Sequence, residues 1–182
     1  MGNIKEPTRV IPIVGTLYRP DCTVEAVLNK LTEAIGPLAL HTTPQSFTHT
    51  AYYGKEMGEG LLRQWYAFDR LVDPAQLASL KIKSNEIELQ YCTDKGGRSI
   101  NIDPGLITLN NLILASTKNY SHRIYLGQGI YAEVTLLYRD KRFHALEWTY
   151  PDYREPASLE FFSEVRSFLK EKLVSEHGRH DV

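Results

Sequence analysis

Between Arg9 and Asp103 two hydrophobic periods alternate along the chain in the order strand, helix, strand, strand, helix, strand. A period near 3.6 marks a helix with one buried face and a period of 2 marks a strand, so the succession leaves few arrangements open. Arg9–Tyr18 is a run of strand-forming residues in which Pro12 marks an edge or a strand start. Thr23 is placed to cap a helix whose Val24, Val27, Leu28, Leu31, Ala34 and Ile35 share a face, and Gly36-Pro37 stops it. Leu38–Phe47 and Leu61–Leu71 extend as second and third strands. In the third, Trp65, Ala67 and Arg63 alternate against Leu62, Gln64, Tyr66 and Phe68. Asp73-Pro74, with Gln76, opens a second helix with the stripe Leu77, Leu80, Ile87 and Tyr91, ended by Lys95-Gly96-Gly97. Arg98–Asp103 alternates as the fourth strand. This is the order of a ferredoxin-like, split βαβ fold of the α+β class, with a mixed or antiparallel sheet.

The C-terminal half elaborates that unit. Asp103-Pro104-Gly105 reads as a turn, and Thr108 as the cap of a short helix through Leu109, Leu112 and Ile113. Gly127-Gln128-Gly129 separates two strand-like runs, the second being Ile130–Tyr138. A hairpin at Asp140-Lys141 leads to a strand at Phe143–Trp148. Pro156 then opens a helix with Leu159, Phe162, Val165, Leu169 and Leu173 on one face. The expectation is one α+β domain over 1–174, followed by a flexible polar tail at 175–182.

Charge and composition exclude several function classes. Twenty-one basic residues against 22 acidic ones leave a formal charge of −1, with no overall field to draw DNA or an anionic membrane surface. Anion binding in such a chain has to be local. Cys22 and Cys92 lack the paired spacing of a zinc or disulfide framework and read as free thiols. The opening residues lack an apolar signal core, and no run approaches the roughly 20 apolar residues that cross a bilayer. These features predict a cytoplasmic protein without a membrane partner.

The densest chemistry lies in Lys118–Leu136. Lys118, Ser121, His122 and Arg123 fall within six positions and form a candidate anion site, arginine giving a directional fork and lysine a point charge. The alternative is a solvated loop with ordinary surface cations. His122 is a candidate general acid or base, because imidazole titrates near ~6.5. Glu133 lies in an apolar strand and shares a face by alternation with Tyr131, Thr135 and Leu137. It faces either a cavity or a polar outer surface. Gly127-Gln128-Gly129 is a tight turn rather than a dinucleotide fingerprint, and no P-loop sequence occurs.

Two further segments join aromatic to polar residues. Phe47–Gly58 carries His49, Tyr52, Tyr53, Lys55 and Glu56; Trp148–Arg154 carries Tyr150, Asp152, Tyr153 and Arg154. His49 is a second proton-transfer candidate, and Tyr53, Asp103 and Arg154 are candidate ligand contacts, Asp103 and Asp152 having turn and capping roles as alternatives. His49 with Glu56, or His122 with Glu133, would suit a nitrogen and oxygen metal site, but ligands so scattered name no metal or cofactor.

The segments Phe47-x-His49-Thr50-x-Tyr52-Tyr53-x-x-Glu56-Met57-Gly58, Asn101–Gly105, Lys118-x-Tyr120–Leu126, Gly129–Leu136 and Thr149–Arg154 resemble the domain-of-unknown-function 4416 family of bacteria and archaea. The resemblance spans nearly the whole chain, and it implies that the three polar and aromatic segments gather around one site. It brings no reaction. Members of that family are sometimes labelled GTP-binding, yet this chain has no P-loop, and Asn29-Lys30-Leu31-Thr32 lacks the aspartate of a guanine motif. Two functions remain open from sequence. One is binding of a small anionic molecule, a nucleotide or phosphorylated metabolite, with catalysis by His122, His49 and Glu133. The other is a noncatalytic module that meets protein or RNA through tyrosine-rich surfaces.

Overall fold

A computed structural model describes residues 2–49, 54–92 and 97–177. Its strands are β1 (Ile11–Tyr18), β2 (Leu38–His41), β3 (Gln45–Ser46), β4 (Leu62–Phe68), β5 (Ile100–Ile107), β6 (Asn111–Ser116), β7 (Ile124–Gly127), β8 (Ile130–Arg139) and β9 (Arg142–Ala145). The helices are α1 (Val24–Ile35), the single turn α2 (Gly54–Met57), α3 (Leu77–Leu89) and α4 (Pro156–His177). The strands form one antiparallel sheet in the order β2-β4-β1-β5-β6-β8-β7, with β3 on β4 and β9 on β8, in a fold of the α+β class.

Two hydrophobic cores sandwich the sheet. On one face α1 and α3 bring Val27, Leu31, Ile35, Leu77 and Ile87 onto Val14, Tyr66, Phe68 and Ile102. On the other, α4 lays Phe162, Val165, Leu169 and Leu173 over Ile11, Ile13, Trp65 and Leu136. The alternation in the third strand is therefore real: Trp65 and Ala67 face α4, Tyr66 and Phe68 face α1 and α3. Central β1 is buried along its entire length because both of its faces are covered. Pro12 stands near its start, as its missing N–H requires.

Several boundaries differ from expectation. Leu38–Phe47 divides into β2 and β3, since the register with β4 shifts between Leu38 and Leu40 and Thr42 takes over the ladder: its Oγ1 accepts from the Trp65 N–H at 3.0 Å. The Asp103-Pro104-Gly105 turn does not exist; these residues are the middle of β5, paired with Gly15, Val14 and Ile13. Glycine belongs there because a Cβ at 105 would lie 2.7 Å from the Ile113 carbonyl oxygen. The helix expected after Thr108 is instead β6. Thr108 does cap, but its Oγ1 receives the N–H groups of Asn110 and Asn111, at 3.0 and 2.9 Å, and so reverses the chain into a hairpin. Strand β9 stops at Ala145, short of Trp148. Helix α4 continues to His177, into the segment expected to be tail, and residues 178–182 lie outside the described ones, as does the predicted helix stop at 95 and 96.

The site follows from one feature of the sheet. Strands β5 and β6 pair only through Gly105–Ile107 and Leu112–Leu114. Beyond that, Asn101 and Asp103 stay with β1, while Ala115 and Ser116 stay with β8. The strands diverge and leave a cleft through the middle of the sheet.

Candidate functional site

The cleft has a volume of about 490 Å³. Its walls are the diverging ends of β5 and β6, Lys81 and Asn85 come from α3, and the 3₁₀ turn Pro151–Arg154 before α4 contributes Asp152 and Tyr153, with Tyr150 just ahead of it. His49, Asp103, Arg123, Glu133 and Asp152, spread over more than a hundred positions, all line it. The three polar and aromatic segments of the sequence do meet here.

One wall is a chain of alternating charges. Glu56 takes Arg98 Nε and Nη2 at 2.7 and 3.0 Å, and Arg98 Nη1 donates to Glu88 Oε2 at 2.8 Å. Glu88 Oε1 also receives the Ile102 N–H at 2.6 Å and stands 3.9 Å from Lys81 Nζ. Lys81 donates to the Ile102 carbonyl at 2.8 Å and approaches Asp103 at 3.5 Å. Asp103 receives Asn101 Nδ2 at 2.7 Å and lies 3.9 Å from Arg63 Nη1. Arg63 closes the series on Asp152 through Nε at 2.7 Å and a second donor, Nη2. Burying so many charges is costly unless they neutralise one another, which the alternation achieves. Burial opposes the charge on Arg63, but its neighbours, Asp152 foremost, together more than offset it and hold the guanidinium protonated. Burial pushes the Glu88 carboxyl above its ordinary value, with Lys81 the first of the groups pulling it back.

The opposite wall is organised by Glu133, which is buried within β8. It accepts Arg123 Nε at 2.7 Å and Thr135 Oγ1 at 3.2 Å, and lies 3.3 Å from His122 Nε2. Alternation fails just beyond it: the register with β6 shifts, so Leu136 rather than Leu137 pairs with Leu112 in the core. The Arg123 donors are already engaged. Nη1 reaches Ser116 Oγ and the Lys118 carbonyl, both at 2.8 Å, and Nη2 reaches the Tyr150 hydroxyl at 3.3 Å. Arg123 thus clamps the wall.

The remaining candidates separate. His49 lines the cleft and pairs through Nε2 with Glu155 at 2.7 Å, not with Glu56. Lys118 lines it as well. His122 does not: its ring stacks on Trp148 at 4.8 Å and packs near Tyr120. Ser121 is exposed on the loop and is likewise not a lining residue. Arg154 turns away to cap a loop, donating to the carbonyls of Thr149, Leu146 and Glu147 at 2.7 to 2.9 Å. Tyr53 lies outside the described residues. Among those described, no group of three or more His, Cys, Asp and Glu is disposed to hold a metal ion.

A sequence model described as Domain of unknown function (DUF4416) matches residues 8–168, most of the chain. The chain belongs to this family. Comparison with curated proteins gives no match, and neither does comparison with solved structures. The span matched by the DUF4416 family takes in both walls of the cleft and most of α4. Among the described residues, no helix is long and apolar enough to cross a membrane.

Sequence reasoning overlooked Lys81, Glu88 and Arg98, and gave Arg63 no role. The signals were present. Arg63 alternates with Trp65 and Ala67, placing a charge on a buried strand face. Lys81, Ser84 and Glu88 recur three and four positions apart, a polar stripe beside the apolar one, and all three are buried.

Proposed function

We propose that the cleft between β5 and β6 binds a small anionic ligand, a nucleotide or a phosphorylated metabolite. The carrying observation is the convergence of remote polar residues on one cavity of about 490 Å³, within the range of small-molecule sites. Five cationic side chains line it against three carboxylates. Glu56 and Glu88, hydrogen bonded to Arg98 behind the wall, bring cations and carboxylates to five each, so an anion would be held here by individually placed donors rather than by net charge. His49, oriented by Glu155, is the histidine positioned to move a proton at the cleft wall, and catalysis belongs to this reading through it. Two free cysteines agree with a cytoplasmic setting. The first half of the fold is taken as a ferredoxin-like unit: β4 lies between β1 and β2, and β1 between β4 and β5.

Titration calorimetry with AMP, GTP, ribose 5-phosphate and inorganic phosphate tests the reading. At least one probe is expected to bind, and Thr117→Trp, which places bulk at an exposed lining position, should weaken it at least about tenfold. A folded protein that binds none of the four would overturn the reading.

A noncatalytic interaction module has its own support. Ile124, Tyr125 and Leu126 are consecutive exposed residues on β7, at the end of the sheet. Gel filtration and pull-down with Tyr125→Lys test it: recovery of one protein or RNA by the native chain and its loss in the variant would favour the module.

A further inference from the structure

Two polar atoms of the cleft residues have no hydrogen-bond partner among the described residues: Arg63 Nη1 and the Tyr153 hydroxyl. Arg63 is 9% exposed and Tyr153 1%. They are neighbours, with the Arg63 guanidinium carbon 5.5 Å from the centre of the Tyr153 ring. A buried donor left unmade costs free energy, and folded proteins retain few such groups. Two on side chains that pack guanidinium over ring beside a single cleft are therefore a specific arrangement.

We propose that Arg63 Nη1 and the Tyr153 hydroxyl form an oxyanion subsite, taking a carboxylate or phosphate oxygen of the ligand. This rests on the binding role proposed above and specifies where the ligand's charge sits. The remaining Arg63 donors, Nε and Nη2, are committed to Asp152, so the guanidinium is fixed in orientation with one edge over. Asp103 faces that edge as an ion pair without hydrogen bonding to it. Its Oδ2 stands 3.9 Å from Nη1 and is instead hydrogen bonded to Asn101 at 2.7 Å, while Oδ1 lies 3.5 Å from Lys81. Asn101 and Lys81 therefore hold Asp103 back from the guanidinium, and its side chain is 26% exposed. Both unpartnered atoms are covered in the unliganded fold, and the proposal requires Asp103, the partly exposed group facing the guanidinium, to yield as an oxygen enters. Burial pushes the Tyr153 hydroxyl well above its ordinary value, so the phenol stays protonated and donates. Trp65, 4.4 Å beneath Arg63, and Phe47 complete an apolar surround in which a charge-assisted hydrogen bond is strengthened.

Tyr153→Phe tests the subsite because it removes one donor and no volume. In the free protein the melting temperature is expected to hold or rise, since an unmet hydroxyl has been deleted. Affinity for inorganic phosphate or for succinate, whichever the native chain binds, is expected to fall about tenfold. In the native protein the ¹⁵N resonances of the Arg63 guanidinium should shift on addition of that probe and not on addition of chloride. A phosphate response without a succinate response identifies a phosphoryl ligand, and the reverse a carboxylate. Probe binding that is equal in Tyr153→Phe and leaves the Arg63 signals unmoved overturns the subsite while sparing the cleft as a binding site. Failure of the native chain to bind either probe overturns the subsite, and the cleft as a binding site falls with it only if AMP, GTP and ribose 5-phosphate also fail to bind.

Discussion

Arg63 Nε donates to Asp152 Oδ2 at 2.7 Å across 89 positions of sequence, tying β4 to the turn that launches α4. Both side chains are buried, so each is the other's compensation for lost hydration. Asp152→Ala leaves a buried guanidinium with Asp103 at 3.9 Å as its nearest carboxylate. The expected loss is about 3–5 kcal/mol in urea unfolding. Asp152→Asn should lose less, because the amide oxygen still accepts. Equal stability of native and Asp152→Ala protein would show that the pair does not hold α4 to the sheet.

Gly105 sits where β5 and β6 begin to part, and the backbone of the two strands leaves no room for a side chain. A Cβ there would meet the Ile113 carbonyl oxygen at 2.7 Å and Leu114 Cδ2 at 2.8 Å. The carbonyl cannot give way without moving β6. Gly105→Ala is expected to destabilise by about 1–3 kcal/mol and to disturb amide shifts on both sides of the cleft. An alanine variant as stable as the native protein would contradict the close approach.

The elements that could be read in advance were those with one clear period. Helices α1 and α4 and the alternation of β4 are where the apolar pattern placed them, because each buries a single stripe or opposite faces of a strand. What misled was chemistry with two uses. Thr108 caps a hairpin turn as readily as a helix, and only pairing with β5 on one side and with the later strand β8 on the other makes the strand worthwhile. Pro104-Gly105 resembles a turn until the crowding of Ile113 shows why glycine is needed in a strand. The convergence of His49, Asp103, Arg123, Glu133 and Asp152 was anticipated from their company of aromatics and glycines. The roles of Arg123 and Arg154 were not, because sequence cannot show that a guanidinium is already consumed by neighbouring carbonyls.

The hairpin joining β8 to β9 carries strain that can be released. Asp140 and Lys141 have φ of 50° and 62°, the left-handed pair that a two-residue turn requires. Lysine adopts that region at a cost, and glycine does not. Lys141→Gly is expected to raise stability by about 0.5–1 kcal/mol in thermal unfolding, the steric gain outweighing the extra freedom of the unfolded chain. A lower melting temperature would show that the lysine side chain makes a contact worth more than the strain.

Arg98 joins two carboxylates whose pH signatures oppose one another. Hydrogen bonds from Arg98 hold the Glu56 carboxyl below the ordinary 4.5, while burial pushes Glu88 above it. A lowered carboxyl contributes stability that is present above the unfolded value and is lost as pH falls through the folded one. A raised carboxyl does the reverse: the folded state takes up its proton first, so its ionisation costs stability as pH climbs from 4.5 through the folded value. The advantage of the native protein over Glu56→Gln should therefore shrink as pH is lowered below about 4.5. Its margin relative to Glu88→Gln should move in the native protein's favour as pH is lowered from about 7 toward 4.5. Urea unfolding followed by tryptophan fluorescence at half-unit steps of pH measures both differences. Differences that change in the same direction over their two windows would mean that Arg98 and burial do not act on these two groups as their geometry requires.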